Sequence, residues 1–369
     1  MGKLTMTSEE APAGIGTLIC HRGGQVAPGP SLMVVWVGDR PVGQLRVERL
    51  EPSPAPTMGD LSVTVVVCTR DRPQELARCL SSFAEQTLRP GQVIVVDNAS
   101  LGDETRQVSR KAGVTYLRED RPGLDIARNT GARAASGDVV AYADDDVVLH
   151  PDWLKRLIQA FDEARIWAVT GLVLPAELAT EAQWIFETHW GFGKGFQRRD
   201  FGPEFFAADR RHGCPAWEIG AGASMAFRRS VFERVGYFDE RLDVGAAGCS
   251  GDSEFWHRIL TAGGWCRYEP ASVAYHYHRR DMDGLRRQIR AYMRGHAAAL
   301  LVQYERSRNL GNLRRLFLTL PHYYARRAVG RIVRGVRSDN RLLGAEVAGL
   351  ASGVAFYLRT PASAAGAGR

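Results

Sequence analysis

The chain has 369 residues, 45% of them hydrophobic and 24% charged, which suits one large domain with appendages or two domains and excludes a low-complexity chain. Six scattered cysteines (Cys20, Cys68, Cys79, Cys214, Cys249, Cys266) form no Cys-x-x-Cys pair, which argues against a zinc or disulfide scaffold and for a reducing compartment. The net charge of +7 comes from the end of the chain: Asp281 to Arg369 holds sixteen Arg and five acids, a balance of +11, which leaves −4 for the first 280 residues and excludes a broad nucleic-acid groove there.

Residues 1–60 carry two β-like runs, Leu32–Val37 and Val42–Val47, around Gly38-Asp39-Arg40-Pro41, followed by the Pro-rich stretch Glu51–Pro56, which reads as a linker. No basic segment followed by a long apolar run opens the chain, so a cytoplasmic protein is expected. From Leu61 onward strands and helices alternate. Leu61–Cys68, Gln92–Val96, Val114–Leu117 and Val139–Ala143 read as strands, and Pro73–Gln86, Thr105–Ala112 and Ile126–Ala135 as helices. Such alternation predicts a parallel sheet covered on both faces, with ligands beyond the carboxyl ends of its strands. Pro151–Ala164 is predicted helical, and a less regular middle containing Trp184, Trp190, Gly191, Gly193, Gly195 and Trp217 follows it. Val231–Val235 and Ser253–Ala262 read as helices, and Cys266–Tyr268 and Val273–Tyr275 as strands.

The polar residues that bear chemistry fall at strand ends. Asp144-Asp145-Asp146 follows an apolar strand, and three crowded carboxylates call for a counter-cation; hard oxygen ligands suit Mg²⁺ or Mn²⁺. A solvated acidic turn is the plain alternative. Asp97 closes its strand either as an Asx turn or as an acceptor for a base imide or ribose hydroxyl. Gly123–Gly131 opens a helix whose first amides, with Arg128, suit a phosphate, or else is an ordinary capped helix. Gly220-Ala221-Gly222-Ala223-Ser224 is a tight turn or a place where backbone approaches a ligand. Asp252, in Gly251-Asp252-Ser253-Glu254, is a helix N-cap, a general base, or both. His276 and His278 alternate on one strand face, and either suits a metal or a diphosphate.

In their order and spacing these segments resemble family 2 glycosyltransferases. The resemblance rests on Val65–Arg72, Val95–Ser100, Ala127–Gly131, Asp144–Asp146, Met225–Arg229, Val235–Glu240, Gly251–Glu254 and the late His276, and covers about residues 61–280. It implies an α/β GT-A fold, Rossmann-like, with a mainly parallel central sheet flanked by helices. It also implies a nucleotide-diphosphate sugar donor, with UDP favoured, a divalent metal, and inversion at the sugar carbon. Carried over by position, Thr69 and Asp97 line the base and ribose pocket, Arg128 lies near the diphosphate, and Arg70, Asp71 and Gly222 belong to the same nucleotide-sugar site. Asp144 and Asp145 also bind the nucleotide sugar, one or the other near the ribose. Asp146, with Asp144 and His276, holds the metal, and Asp252 is the catalytic base. The family often writes the last motif Glu-Asp-x-Asp; here Gly251 replaces its first acid and Glu254 its last. Two other classes compete. A nucleotidyltransferase usually needs a Gly-rich phosphate loop near the first strand, which Thr69-Arg70-Asp71-Arg72-Pro73 is not, and a non-catalytic sugar-nucleotide binding protein would not need Asp252.

This reading divides the chain into a β-rich extension with linker (1–60), the transferase domain (61–280) and a basic amphipathic helical tail (281–369). In the tail, Leu285–Tyr304 and Leu313–Val336 interleave Arg with Leu, Tyr, Phe and Val, a pattern that suits an anionic membrane surface. Leu342–Leu358 is apolar but would span only roughly 25 Å as a helix, which predicts peripheral contact at the inner face of the membrane instead of a span. A helical cap on the catalytic domain is the alternative. The acceptor is open at this level: a lipid-linked glycan, an envelope polysaccharide or a small molecule.

Overall fold

The computed structural model describes residues 61–360 apart from 209 and 210, with only the backbone of Asp339, and the backbone of residues 31–37 and 40–47. The chain divides into two compact units, Met1–Ala55 and Pro56–Arg369. In the first, β1 (Ser31–Val37) and β2 (Arg40–Val47) pair antiparallel, with a bulge between Val35 and Trp36. The Pro-rich linker predicted at 51–56 lies outside the described residues.

The second unit begins with β3 (Val63–Thr69), α1 (Pro73–Phe83), β4 (Gln92–Asn98), α2 (Glu104–Lys111), β5 (Thr115–Glu119), α3 (Leu124–Ala134) and β6 (Val139–Asp144). The four strands lie in the order β5-β4-β3-β6, all parallel. β3 and β6 are buried on both faces, which is why they read as unbroken apolar runs. Leu76, Cys79, Leu80 and Phe83 turn one face of α1 into the core, as their spacing requires.

Next come β7 (Val147–Leu149), α4 (Trp153–Gln159), β8 (Ile166–Pro175), α5 (Glu181–Trp190), β9 (Arg199–Phe201), α6 (Pro203–Ala208), β10 (Ser224–Arg228), α7 (Ser230–Val235), α8 (Gly251–Thr261) and β11 (Trp265–His276). They extend the sheet in the order β6-β10-β8-β11-β7, with β9 pairing on β11 and β10 antiparallel to both its neighbours. Three expectations change here. The helix predicted at Pro151–Ala164 is shorter, and the supposedly irregular middle contains the central strand β8, whose two-sided burial removes alternation and whose Gly171 reads as a breaker. The two short strands expected around residue 270 are one strand, β11, with a register shift between Glu269 and Val273.

The tail consists of α9 (Met282–Ser307), α10 (Leu310–Arg314), a π-turn at Arg315–Thr319, α11 (Leu320–Arg334) and α12 (Leu343–Arg359), all in the same compact unit as the sheet. Asp281 caps α9 by accepting from the Gly284 amide at 2.6 Å. Leu285 and Ile289 of α9 pack on Ile185 and Phe186 of α5, and Met293, Ala297 and Leu300 pack on Leu316, Leu320 and Tyr324. Gly349 and Gly353 bring α12 against the α9 backbone; an ideal Cβ would stand 2.5 Å from Arg290 O and 2.2 Å from Arg294 O. The apolar run at 342–358 thus buries its small-residue face against α9. Among the described residues no helix is long and apolar enough to cross a membrane.

Candidate active site

A cleft of about 1530 Å³ runs from the carboxyl ends of β3 and β6 to the tail helices. Thr69, Arg70, Arg72, Asn98, Arg128, Asp144, Asp145 and Asp146 line one part, Gly222, Asp243 and Asp252 face it, and Tyr292, His296, Tyr323 and Arg327 close the far part. The structure therefore gathers most of the sequence candidates around one space. Asp71 and Asp97 are not among the lining residues. Asp97 is fully buried and accepts from Tyr116 OH at 2.7 Å, Arg118 Nη1 at 3.1 Å and the Ser100 amide at 3.1 Å. Burial alone would raise its pKa, but those donors hold the carboxyl below its usual range. Asp71 is exposed, and its carboxylate accepts from the Leu101 amide at 2.7 Å.

Two members of the acidic triplet are bridged by one arginine. Asp145 accepts from Thr69 Oγ1 at 2.7 Å and from Arg72 Nη1 at 3.0 Å; the same Arg72 nitrogen reaches Asp146 at 3.0 Å. Arg72 was missed by sequence reasoning, which favoured its neighbour Arg70. The left-handed Asp71 (φ 53°) reverses the chain between them, so that Arg70 stays exposed and Arg72 joins the acids. Burial and the neighbouring Asp146 push the Asp145 carboxyl up to about 7, and burial raises Asp144 to about 6 against the pull of Arg128. For Asp146 burial acts the same way, but His276 and Arg72 outweigh it and hold the carboxyl well below the usual range.

One ligand atom from each of Asp144, Asp146 and His276 lies within 4.8 Å of the others. His276 ends β11 and places Nε2 3.2 Å from Asp146 Oδ1. Its Nδ1 is 3.0 Å from His278 Nδ1, and His278 Nε2 is 3.1 Å from Glu187 of α5. The Glu187 carboxylate accepts only, so His278 donates from Nε2 and accepts at Nδ1, and His276 donates from Nδ1. A neutral His276 then presents a lone pair at Nε2 toward a carboxylate oxygen, two acceptors face to face. A proton or a cation belongs between them, and two carboxylates with an oriented imidazole fit a divalent ion. His276 is the candidate ligand of the histidine pair, and His278 is its positioning residue.

Arg128 leaves α3 fully buried and is committed to Asp243 at 2.7 Å and Asp125 at 3.0 Å, with Asp144 3.9 Å away. The first amides of this helix are also taken: Gly123 N donates to Asn98 Oδ1 at 2.7 Å and Leu124 N to Val244 O at 2.8 Å. The reading of an anion site at this helix start therefore gives way to one in which Arg128 neutralises acids. Asp243 sits in the loop before α8 at φ 62°; its distance in sequence hid it.

Asp252 is not the N-cap of α8. Ser250 holds that position in a left-handed conformation, and Asp252 stands inside the first turn. Its Oδ1 accepts from the Ser253 amide at 2.6 Å, and Oδ2 faces Gly222. Burial and Asp243 raise its pKa, with Arg128 opposing. An ideal Cβ on Gly222 would lie 2.9 Å from Asp252 Oδ2 and 3.0 Å from Arg128 Nη2. Gly222→Ala is expected to shift both groups and lower kcat on the order of ten-fold, with a much smaller change in Tm; steady-state kinetics beside a melting curve checks this.

The Gly251 departure also acquires a reason. An ideal Cβ there would stand 1.9 Å from Asp125 Oδ2, so a carboxylate from α3 fills the space that a side chain at 251 would need. Gly251→Ala should destabilise the fold by about 1–3 kcal/mol through overpacking. In a urea double-mutant cycle, much of that loss should vanish when Asp125→Ala is present; additive effects would show that the two sites do not compete for space. Glu254 lies outside the cleft, fully buried, pairing with Arg258 at 2.9 Å and Arg306 at 3.3 Å, and so ties α8 to α9.

This fold, with an acid-rich cleft at the carboxyl ends of its parallel strands, is the GT-A-like class of α/β proteins. Residues 64–236 match the family model described as Glycosyl transferase family 2, and the chain carries a family 2 glycosyltransferase domain. It is similar to the glucosyl-dolichyl phosphate glucuronosyltransferase of Haloferax volcanii, 27% identical over 187 residues, which cover 48% of this chain and 56% of that protein. It is also similar to the pre-mycofactocin glycosyltransferase of Mycobacterium tuberculosis, 28% identical over 258 residues, which cover 69% of this chain and 50% of that protein. The chain thus spans about half the length of these relatives. Among solved structures, mannosyltransferase PcManGT from Pyrobaculum calidifontis, in complex with GDP-Man and Mn²⁺, matches with a TM-score of 0.54 at 20% identity, covering 84% of this chain and 90% of that one. At that identity the likeness concerns the fold.

Proposed function

We propose that the protein is a metal-dependent inverting glycosyltransferase that moves a sugar from a nucleotide-diphosphate donor, with UDP favoured, to an acceptor hydroxyl. The observation that carries the reading is the placement of two chemistries in one cleft: the Asp144, Asp146 and His276 cluster, and Asp252 with one carboxylate oxygen fixed and the other turned inward. Asp144, Asp146 and His276 would hold Mg²⁺ or Mn²⁺, which when bound supplies positive charge for a diphosphate leaving group. Thr69 and Arg70, which line the cleft, belong to the nucleotide side of the donor site, with Asp144 or Asp145 toward the ribose. Gly222 keeps the backbone low beside the donor.

The acceptor oxygen attacks the sugar carbon as its proton passes to Asp252 Oδ2. The bond from that carbon to the diphosphate oxygen breaks, and its electron pair leaves with the nucleoside diphosphate. A single displacement inverts the centre. Arg128 keeps Asp144, Asp243 and Asp252 from repelling one another, and the Ser253 amide keeps Oδ1 of the base engaged so that Oδ2 takes the proton. The name of the Haloferax relative supports an acceptor borne on a lipid phosphate, in glycan or envelope assembly, and with it peripheral contact between a cytoplasmic enzyme and the membrane.

Thermal stabilisation by UDP, GDP, dTDP and ADP, each with and without Mn²⁺, tests the donor side. A metal-dependent rise in Tm with one nucleotide is expected; no metal-linked shift with any of them would overturn the reading.

A further inference from the structure

Between Leu310 and Arg337 the sequence holds seven Arg and no Asp or Glu. The fold divides the apolar residues of this segment between two opposite faces. Leu316, Leu320 and Tyr324 turn inward and join the core against α9. Leu310, Phe317, Leu318, Val329, Ile332, Val333 and Val336 turn outward, with Ile332 84% and Val333 76% exposed. With Tyr323, the segment therefore holds more than half of the large hydrophobic side chains exposed among the described residues. Arg314, Arg326, Arg334 and Arg337, all exposed, make no ion pair with any described residue. An aliphatic ridge beside unneutralised guanidinium groups, with no acid in the segment, has the chemistry of a surface that lies in a lipid headgroup layer.

We propose that this outer face of α10 and α11 seats the enzyme on an anionic phospholipid bilayer. The aliphatic ridge enters the acyl boundary, and the flanking arginines pair with lipid phosphates. The inner face of the same helix lends Leu320, Tyr323, Tyr324 and Arg327 to the wall of the catalytic cleft. The lipid surface and the far part of the cleft are thus two sides of one helix, an arrangement suited to an acceptor carried in that lipid layer. This consequence for the acceptor rests on the proposed transferase activity; the docking itself does not.

The test is co-sedimentation of the full chain with phosphatidylcholine vesicles, either neutral or containing about one third phosphatidylglycerol. Anionic vesicles should bind at least ~10-fold more protein than neutral ones, and high salt should weaken that binding. Ile332→Asp with Val333→Asp should abolish it, and Arg326→Ala with Arg334→Ala should reduce it. Both variants should keep the wild-type rise in Tm with nucleotide and Mn²⁺, which shows that they fold. Absence of binding to anionic vesicles, or binding indifferent to Ile332→Asp with Val333→Asp, overturns the proposal. So does concentration-dependent self-association abolished by that variant, which would give the ridge to a second copy of the chain. A wild-type protein that binds vesicles but shows no nucleotide shift would count against the transferase reading and leave the docking surface standing.

Discussion

Asp252→Asn is expected to lower kcat by ~10²–10⁴-fold while leaving the nucleotide- and Mn²⁺-dependent rise in Tm unchanged. The amide matches the carboxylate in shape, keeps the Ser253 contact through its carbonyl oxygen, and cannot take a proton. The loss should appear in kcat and kcat/KM alike, because the missing interaction exists only as the proton moves. A pH profile adds a second check. Asp252 must be ionised to act, and burial with Asp243 raises its pKa while Arg128 opposes. As pH falls, activity should therefore fade at a higher value than for a free carboxyl group. Asp243→Asn removes a neighbouring negative charge and should move that acid limb to lower pH. Near wild-type turnover in Asp252→Asn, or an unmoved limb in Asp243→Asn, would exclude Asp252 as the base.

Asp146→Ala should abolish the Mn²⁺-dependent part of nucleotide stabilisation and lower turnover on the order of 10²–10³-fold. Without metal the fold should change little in stability, since two effects oppose each other. The substitution removes an ion pair with Arg72 and the contact with His276, but it also removes the charge that, after burial, does most to raise the Asp145 carboxyl. A variant that melts like the wild type, yet ignores Mn²⁺ in the presence of nucleotide, is the expected result. A variant still stabilised by Mn²⁺ with nucleotide would place the ion on other ligands.

Much of this was legible because it is local. An apolar run ending in Asp144-Asp145-Asp146 announces a buried strand that delivers acids to a sheet edge, and strand–helix alternation requires neighbouring edges to converge. Asp252 was legible through its motif, although the motif invited an N-cap reading that the left-handed Ser250 takes away. What escaped was set by distance in sequence or by conformation. Asp243 meets Arg128 only because the loop before α8 folds onto α3, and Glu187 orients His278 from a different helix. β8 escaped because burial on both faces leaves no alternation to read.

The order of strands and helices, the acids at their ends and the excess of arginine in the tail are all readable along the chain, since each follows from side chains a few residues apart. Which charges meet is set by the folding of the chain in space. It assigned Arg128 to neutralise acids, Arg72 to join the triplet, and Asp125 to occupy the space beside Gly251. It also separated the tail's apolar residues into a face buried on α9 and a face left outside. The physical reason is that pairing energies and desolvation depend on separations of a few ångströms between elements distant along the chain, and packing alone sets those separations.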